Sequence, residues 1–215
     1  MKRLTKVQTM EVIRILEGLY PDAKAELDHT NPFELLIATI LSAQCTDVRV
    51  NKVTKEMFKD LKSPEDYIFE GQEKVAERIR TCGFYNSKSK NIIGACEMLI
   101  DKFDGKVPET IEELMELPGV GRKTANVVAS NSFDVPAIAV DTHVFRVSNR
   151  IGIAKSDDVL ETEKQLMRMI DKDMWTKAHH IIIFHGRRMC KARKPLCEQC
   201  PITEYCNYYK GNNKK

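Results

Sequence analysis

Leu117-Pro118-Gly119-Val120-Gly121-Arg122-Lys123-Thr124 joins two segments of helical periodicity through a proline and a tight Gly-x-Gly turn. Glycines permit positive φ and a close backbone approach, so the turn and the helix after it can aim several N–H groups at one phosphate oxygen. Such a grip holds a nucleic-acid backbone without reading its sequence, through Gly119, Val120, Gly121 and Arg122. An ordinary interhelical turn has the same form. Lys123 adds chemistry, because it falls in the first turn of the second helix, where an ammonium opposes the dipole by about 0.3–1 kcal/mol. That is far short of what frees an amine at neutral pH, so burial in an apolar pocket is expected to supply the rest if Lys123 is a nucleophile. A solvent-exposed lysine on a phosphate is the plainer alternative.

Outward from this turn the chain reads as all-α. Thr110-Ile111-Glu112-Glu113 has capping-box form and opens a short helix that ends at Leu117-Pro118. Asn31-Pro32-Phe33-Glu34 and Ser63-Pro64-Glu65-Asp66 each place a capping side chain before a first-turn proline. Apolar residues recur at helical spacing at Val12, Ile13, Leu16 and Leu19, and again at Ile92, Ile93, Cys96, Leu99, Ile100 and Phe103. Phe133 to Val140 has strand-like composition, but Pro136 weakens a strand, and the segment is read as an extended connector. Gly211 to Lys215 is expected to be a loose tail.

Downstream, Asp141 stands in Val140-Asp141-Thr142-His143, where it can cap the following helix or serve as a carboxylate accepting a proton from an attacking amine. Cys190, Cys197, Cys200 and Cys206 follow with the spacing C-x6-C-x2-C-x5-C. Four clustered thiolates suit zinc or an iron–sulfur cluster, and spacing alone leaves the metal open. Cys45, Cys82 and Cys96 lie in apolar helical contexts and are expected in the core. Lys191, Arg193 and Lys194 make the loop between the first two terminal cysteines basic, as a solvated loop or a phosphate contact.

With 42% hydrophobic and 30% charged residues over 215 positions, the composition is that of a globular protein able to bury one or two cores. The net charge of +3 is too small to name a partner. No signal-peptide run follows Met1-Lys2-Arg3 and no apolar stretch is long enough to span a bilayer, so a cytoplasmic protein with no membrane partner is expected. Seven cysteines cannot pair completely within one chain, which favours metal ligation over disulfides.

The hairpin Leu117 to Thr124, the Val140 to His143 segment and the four-cysteine spacing occur in the order seen in endonuclease III, a family of bacterial DNA glycosylases with lyase activity. Leu41-Ser42-Ala43-Gln44-Cys45-Thr46-Asp47 also resembles that family, and the resemblance covers almost the whole chain. It implies a helix–hairpin–helix DNA glycosylase fold. Residues 25–135 would form a six-helix barrel domain, and residues 1–24 with 136–215 a terminal helical domain holding a [4Fe–4S] cluster on the four terminal cysteines. By motif, Lys123 would attack the sugar C1′ of a flipped nucleotide, Asp141 would assist, and the imine would permit β-elimination on the 3′ side. Gln44 would fill the vacated space in the duplex. Gly83-Phe84-Tyr85-Asn86-Ser87-Lys88 is similar to a segment supplying a second wedge, usually leucine, and Phe84 departs from it. The implied partner is double-stranded DNA carrying oxidised or ring-saturated pyrimidines or abasic sites, bound by a monomer in the bacterial cytoplasm and associated with the nucleoid through DNA.

Two rivals are distinguishable. An adenine-removing branch shares the hairpin, aspartate and cluster but normally lacks the lysine and carries a further C-terminal domain. A non-catalytic DNA binder with a redox-sensing cluster leaves Lys123 and Asp141 without a joint role.

Overall fold

The computed structural model describes residues 2–212, and all regular structure among them is helical. The chain divides into a central unit, Ala25–Val135, and a unit built from both ends, Met1–Lys24 with Pro136–Lys215. Helix α1 (Lys6–Leu19) opens the two-ended unit. The central unit then contains α2 (Pro32–Ser42), α3 (Asp47–Asp60), α4 (Pro64–Glu70), α5 (Gln72–Arg78), α6 (Tyr85–Phe103), α7 (Ile111–Leu114) and α8 (Arg122–Ser132). The chain returns with α9 (Thr142–Ile151), α10 (Val159–Met169), α11 (Trp175–Arg188) and α12 (Asn207–Asn212).

Helices begin where a side chain can satisfy the unpaired N–H groups of the first turn. Asn31 accepts from the Glu34 N–H at 2.9 Å, with Pro32 in the first helical position. Ser63 forms a complete capping box, its N–H donating to the Asp66 carboxylate at 2.9 Å. At Thr110 only half of the expected box forms. The hydroxyl accepts from the Glu113 N–H, but the Glu113 carboxylate takes the hydroxyl proton at 2.6 Å instead of the backbone N–H. A full box does form at Thr5 and Gln8, a Thr-x-x-Gln pattern that the sequence reading passed over.

In the central unit every residue of α2 from Phe33 to Leu41 is buried. A helix apolar on all sides must be surrounded, and α3, α6 and α8 pack against it. Ile92, Cys96 and Leu99 of α6 are fully buried, whereas Ile93, Ile100 and Phe103 are half-buried at the edge of the face. The segment 133–140 forms no strand among the described residues, as its proline suggested, but it is not extended throughout, because Asp134 turns through left-handed backbone at a φ of 53°.

In the two-ended unit α11 packs on α9 and α1, α10 on α1 and α9, and α12 on α9. Val12, Ile13 and Leu16 are fully buried, but Leu19 ends its helix 41% exposed, and Tyr20 takes the inward place. The tail is shorter than expected, because Gly211 and Asn212 continue α12; residues 213–215 lie outside those described. Of the three upstream cysteines, only Cys96 sits in an α-helix. Cys82 ends the 3-10 turn Arg80–Cys82, and Cys45 is half-buried in the turn after α2, because Gln44 has already left the helix at a φ of 54°.

Candidate active site and cysteine cluster

The hairpin turn uses its two glycines differently. Gly119 has a φ of 79°, and a Cβ there would lie 2.8 Å from the Cβ of Asn91, so both conformation and space demand glycine. Gly121 has a φ of −88°, and a Cβ on it would meet nothing within 4 Å. Nothing in the fold requires glycine at 121, and its bare face is open to a ligand. It is also the N-cap of α8 and, as a glycine, supplies no side-chain cap to that helix start. Val120 is buried, so it can offer only its backbone to a ligand, while Arg122 is exposed. Lys123 occupies the first turn of α8 as expected, but its side chain is exposed. The expectation that burial would free the amine is therefore not met by the protein's own packing. Two turns of an 11-residue helix follow it into the core through Ala125, Val128 and Ala129, which leaves position 123 on the solvent side.

Asp141 is the N-cap of α9. Its Oδ1 accepts from the N–H of His143 at 2.8 Å and of Val144 at 2.7 Å. Both bonds fall on one oxygen and neither involves Oδ2. Asp141 as a whole is half-buried, and capping through one oxygen leaves the other outside the two helix-start bonds, so capping and proton transfer are compatible in one carboxylate.

Gln44 and Phe84 are both exposed, Phe84 to 65%, and both adopt left-handed backbone, with φ of 54° and 50°. Non-glycine residues enter that region at a cost of roughly 1 kcal/mol. Phe84 immediately precedes α6 as its N-cap residue.

The four terminal cysteines line one cavity, together with apolar groups of Ile151, Met189, Pro195, Leu196, Ile202 and the rings of Tyr208 and Tyr209. Among the described residues no three His, Cys, Asp or Glu side chains converge closely enough to hold a single ion. Four thiols around one largely apolar cavity are a donor set that fits an iron–sulfur cluster, which takes one thiolate on each iron. Burial pushes the Cys200 thiol up to about 11 and also raises Cys197 and Cys206. Arg150 and nearby backbone N–H groups pull the other way without outweighing that burial, so a bound metal would be what favours the thiolates. Two arginines one turn apart on α9 hold the backbone of this loop, which the sequence reading missed. Arg146 donates to the carbonyls of Gly186 and Cys190 at 2.9 and 3.1 Å, and Arg150 to those of Lys191 and Ala192 at 2.7 and 2.9 Å. Lys191, Arg193 and Lys194 are exposed on the loop so held. His185 stands under the cavity, its Nδ1 3.2 Å from the Tyr20 hydroxyl and its Nε2 3.7 Å from the Cys200 sulfur.

Known proteins share this architecture. Residues 37–172 match the family described as HhH-GPD superfamily base excision DNA repair protein, and residues 190–206, bounded by the first and last of the four cysteines, match the iron-sulfur binding domain of endonuclease III. Endonuclease III of Bacillus subtilis (strain 168) is 51% identical over 198 residues, covering 92% of this chain and 90% of that protein. A solved structure of a non-covalent endonuclease III–DNA complex is 53% identical, with a TM-score of 0.94 over 99% of this chain and 100% of that one. A trapped endonuclease III–DNA covalent intermediate, an estranged-adenine complex, gives the same identity and TM-score over 97% and 99%. The helix–hairpin–helix DNA glycosylase fold and the [4Fe–4S] cofactor follow from these matches together with the cavity of four cysteines. The chain belongs to the endonuclease III family, base-excision DNA repair enzymes that combine glycosylase with abasic-site lyase activity.

Proposed function

We propose that Lys123 is the nucleophile of this reaction and Asp141 its proton acceptor, acting on oxidised or ring-saturated pyrimidines and abasic sites in duplex DNA. The observation that carries the reading is the division of labour in the Asp141 carboxylate, whose Oδ1 caps α9 through two N–H groups while Oδ2 takes part in neither bond. The Lys123 amine loses a proton to that carboxylate as its lone pair attacks C1′; the C1′–N bond breaks, and the base leaves with the bond's electron pair and takes up a proton. Ring opening gives an imine between Nζ and C1′. The imine acidifies the C2′ hydrogen, and loss of that proton expels the 3′ phosphate, breaking the strand by β-elimination. Because Lys123 is exposed in the protein alone, the bound DNA supplies the desolvation that an uncharged amine requires.

Extrusion precedes this chemistry, since C1′ of a stacked nucleotide is inaccessible, and unstacking costs a few kcal/mol, less for a damaged base. Gln44 fills the vacated space, and Phe84 stacks on a neighbouring base. Backbone grip comes from Gly119, Val120, Gly121 and Arg122 at the start of α8 and from Lys191, Arg193 and Lys194 on the cluster loop. Cys190, Cys197, Cys200 and Cys206 hold the cluster, whose part is to order that loop. The enzyme works as a cytoplasmic monomer associated with the nucleoid through DNA; no helix among the described residues is long and apolar enough to cross a membrane. Borohydride trapping on duplex abasic DNA tests the reading. A covalent adduct should form with the parent and vanish with Lys123→Gln, and a full-strength adduct in the folded variant would transfer the role to another amine.

A further inference from the structure

Lys88 is an unusual place for a charge. Its side chain is 5% exposed in the second turn of α6, and its ammonium donates to the carbonyls of Leu41 and Cys82, both at 2.8 Å. Leu41 belongs to the last turn of α2, and Cys82 ends the 3-10 turn Arg80–Cys82. Carbonyls at helix C-termini lack intrahelical partners and carry the negative end of the dipole, so they are suited to a buried cation. Burial works against the ammonium, while the adjacent sulfurs of Cys45 and Cys82 work for it.

The position of those two carbonyls gives the contact its meaning. Three residues after Leu41 the chain turns through Gln44, and two residues after Cys82 it turns through Phe84; both are exposed residues in left-handed backbone. An exposed phenylalanine gains nothing from burial, and although Gly83 takes the first positive φ of its turn at 68°, Phe84 and Gln44 adopt left-handed backbone without being glycine. One ammonium therefore fixes the bases of two strained turns that lie 40 residues apart in the chain.

We propose that Lys88 is a positioning residue for nucleotide extrusion, its ammonium joining the two turns into one rigid pair so that Gln44 and Phe84 enter the duplex together. This rests on the reading of Gln44 and Phe84 as duplex-contacting residues. Pre-forming the pair removes the ordering cost that two independent turns would incur on binding.

Lys88→Met fills the same space without donors and serves as the test, in the cluster-loaded enzyme. Single-turnover base excision from a paired duplex lesion should fall by about tenfold or more, the effect of losing about 1.4 kcal/mol of positioning. Borohydride trapping on single-stranded abasic DNA, where little stacking is broken, should stay within about twofold. The rise in 2-aminopurine fluorescence, with the probe placed opposite the lesion, should shrink in parallel. In a Gln44→Ala/Phe84→Ala background the same Lys88 substitution should add less than about a twofold further loss, because its effect passes through those two side chains. A full additional loss in that background, or parental duplex excision in folded Lys88→Met, overturns the clamp. If Lys88→Met does not fold, Lys88→Leu, which also lacks donors, is read by the same assays against the same outcomes. Should Gln44→Ala/Phe84→Ala by itself excise at the parental rate, the duplex-contact reading fails, a result visible without any change at Lys88.

Discussion

Gly119 and Asn91 meet so closely that a Cβ at 119 would stand 2.8 Å from the Asn91 Cβ, in a turn whose φ is 79°. Gly121, two residues on, has neither constraint. Gly119→Ala should therefore cost about 1–3 kcal/mol of stability through left-handed strain and the clash. Gly121→Ala should cost less than about 1 kcal/mol, the difference between glycine and alanine at an N-cap. DNA affinity should reverse the order. Fluorescence anisotropy on duplex DNA with an uncleavable abasic analogue should show a loss of about tenfold for folded Gly121→Ala, because the methyl group occupies the face offered to phosphate. Unchanged affinity would mean that the backbone of the turn is not approached.

Asp141→Asn separates capping from chemistry. Asparagine is as good an N-cap as aspartate, so the bonds to the His143 and Val144 N–H groups survive and the melting temperature should hold within a few degrees. Base excision should fall by about 100-fold or more with the proton acceptor gone. Trapping on preformed abasic DNA should persist in part, because no base has to leave and the open-chain aldehyde is already electrophilic. Parental excision by this variant would leave the carboxylate with its structural role alone.

How much of this was legible in the sequence depends on the range of the interaction. The caps at Asn31 and Ser63 could be read because donor and acceptor lie three residues apart. At Thr110 the same pattern misled in part, since the glutamate chose the hydroxyl over the backbone N–H, a choice of rotamer that spacing does not encode. Lys123 was placed on its helix start, but the sequence left burial and exposure as alternatives, because the side of α8 that faces the core is set by packing around Ala125 and Val128. Lys88 and Arg150 were invisible as structural cations. Their partners are backbone carbonyls, among them ones 47 and 41 residues away, and a carbonyl leaves no signature in a sequence.

Loss of one cluster ligand should be felt beyond the metal. Arg146 and Arg150 bind the backbone of Cys190, Lys191 and Ala192, so the basic loop is held at its base by α9 and at its sulfurs by the cofactor. Cys197→Ser should lower iron and acid-labile sulfide content, speed proteolysis within residues 190–206, and weaken DNA binding with a smaller dependence on salt, since fewer cations reach phosphates. Normal protease resistance with depleted iron would show that the arginines alone order the loop. Stoichiometric zinc without iron after anaerobic preparation would overturn the cofactor assignment.

Acid should destabilise the two-ended unit through His180. Burial in α11 and, secondarily, the charge of Lys177 hold its imidazole down at about 4, and its ring lies 4.0 Å from that of His179. The unfolded chain binds a proton near pH 6.5 and the folded chain only near 4, so the contribution is fully present above the unfolded value and is lost as pH falls between the two. Between pH 7 and pH 5 one such group removes about 2 kcal/mol of stability. His185, also held at about 4 by burial, acts in the same direction. His180→Asn, which cannot charge, should give a shallower fall in the urea unfolding free energy over that interval while the His185 part remains. Parallel profiles for variant and parent would show that His180 is protonated without unfolding, and that its burial is relieved by local opening of α11.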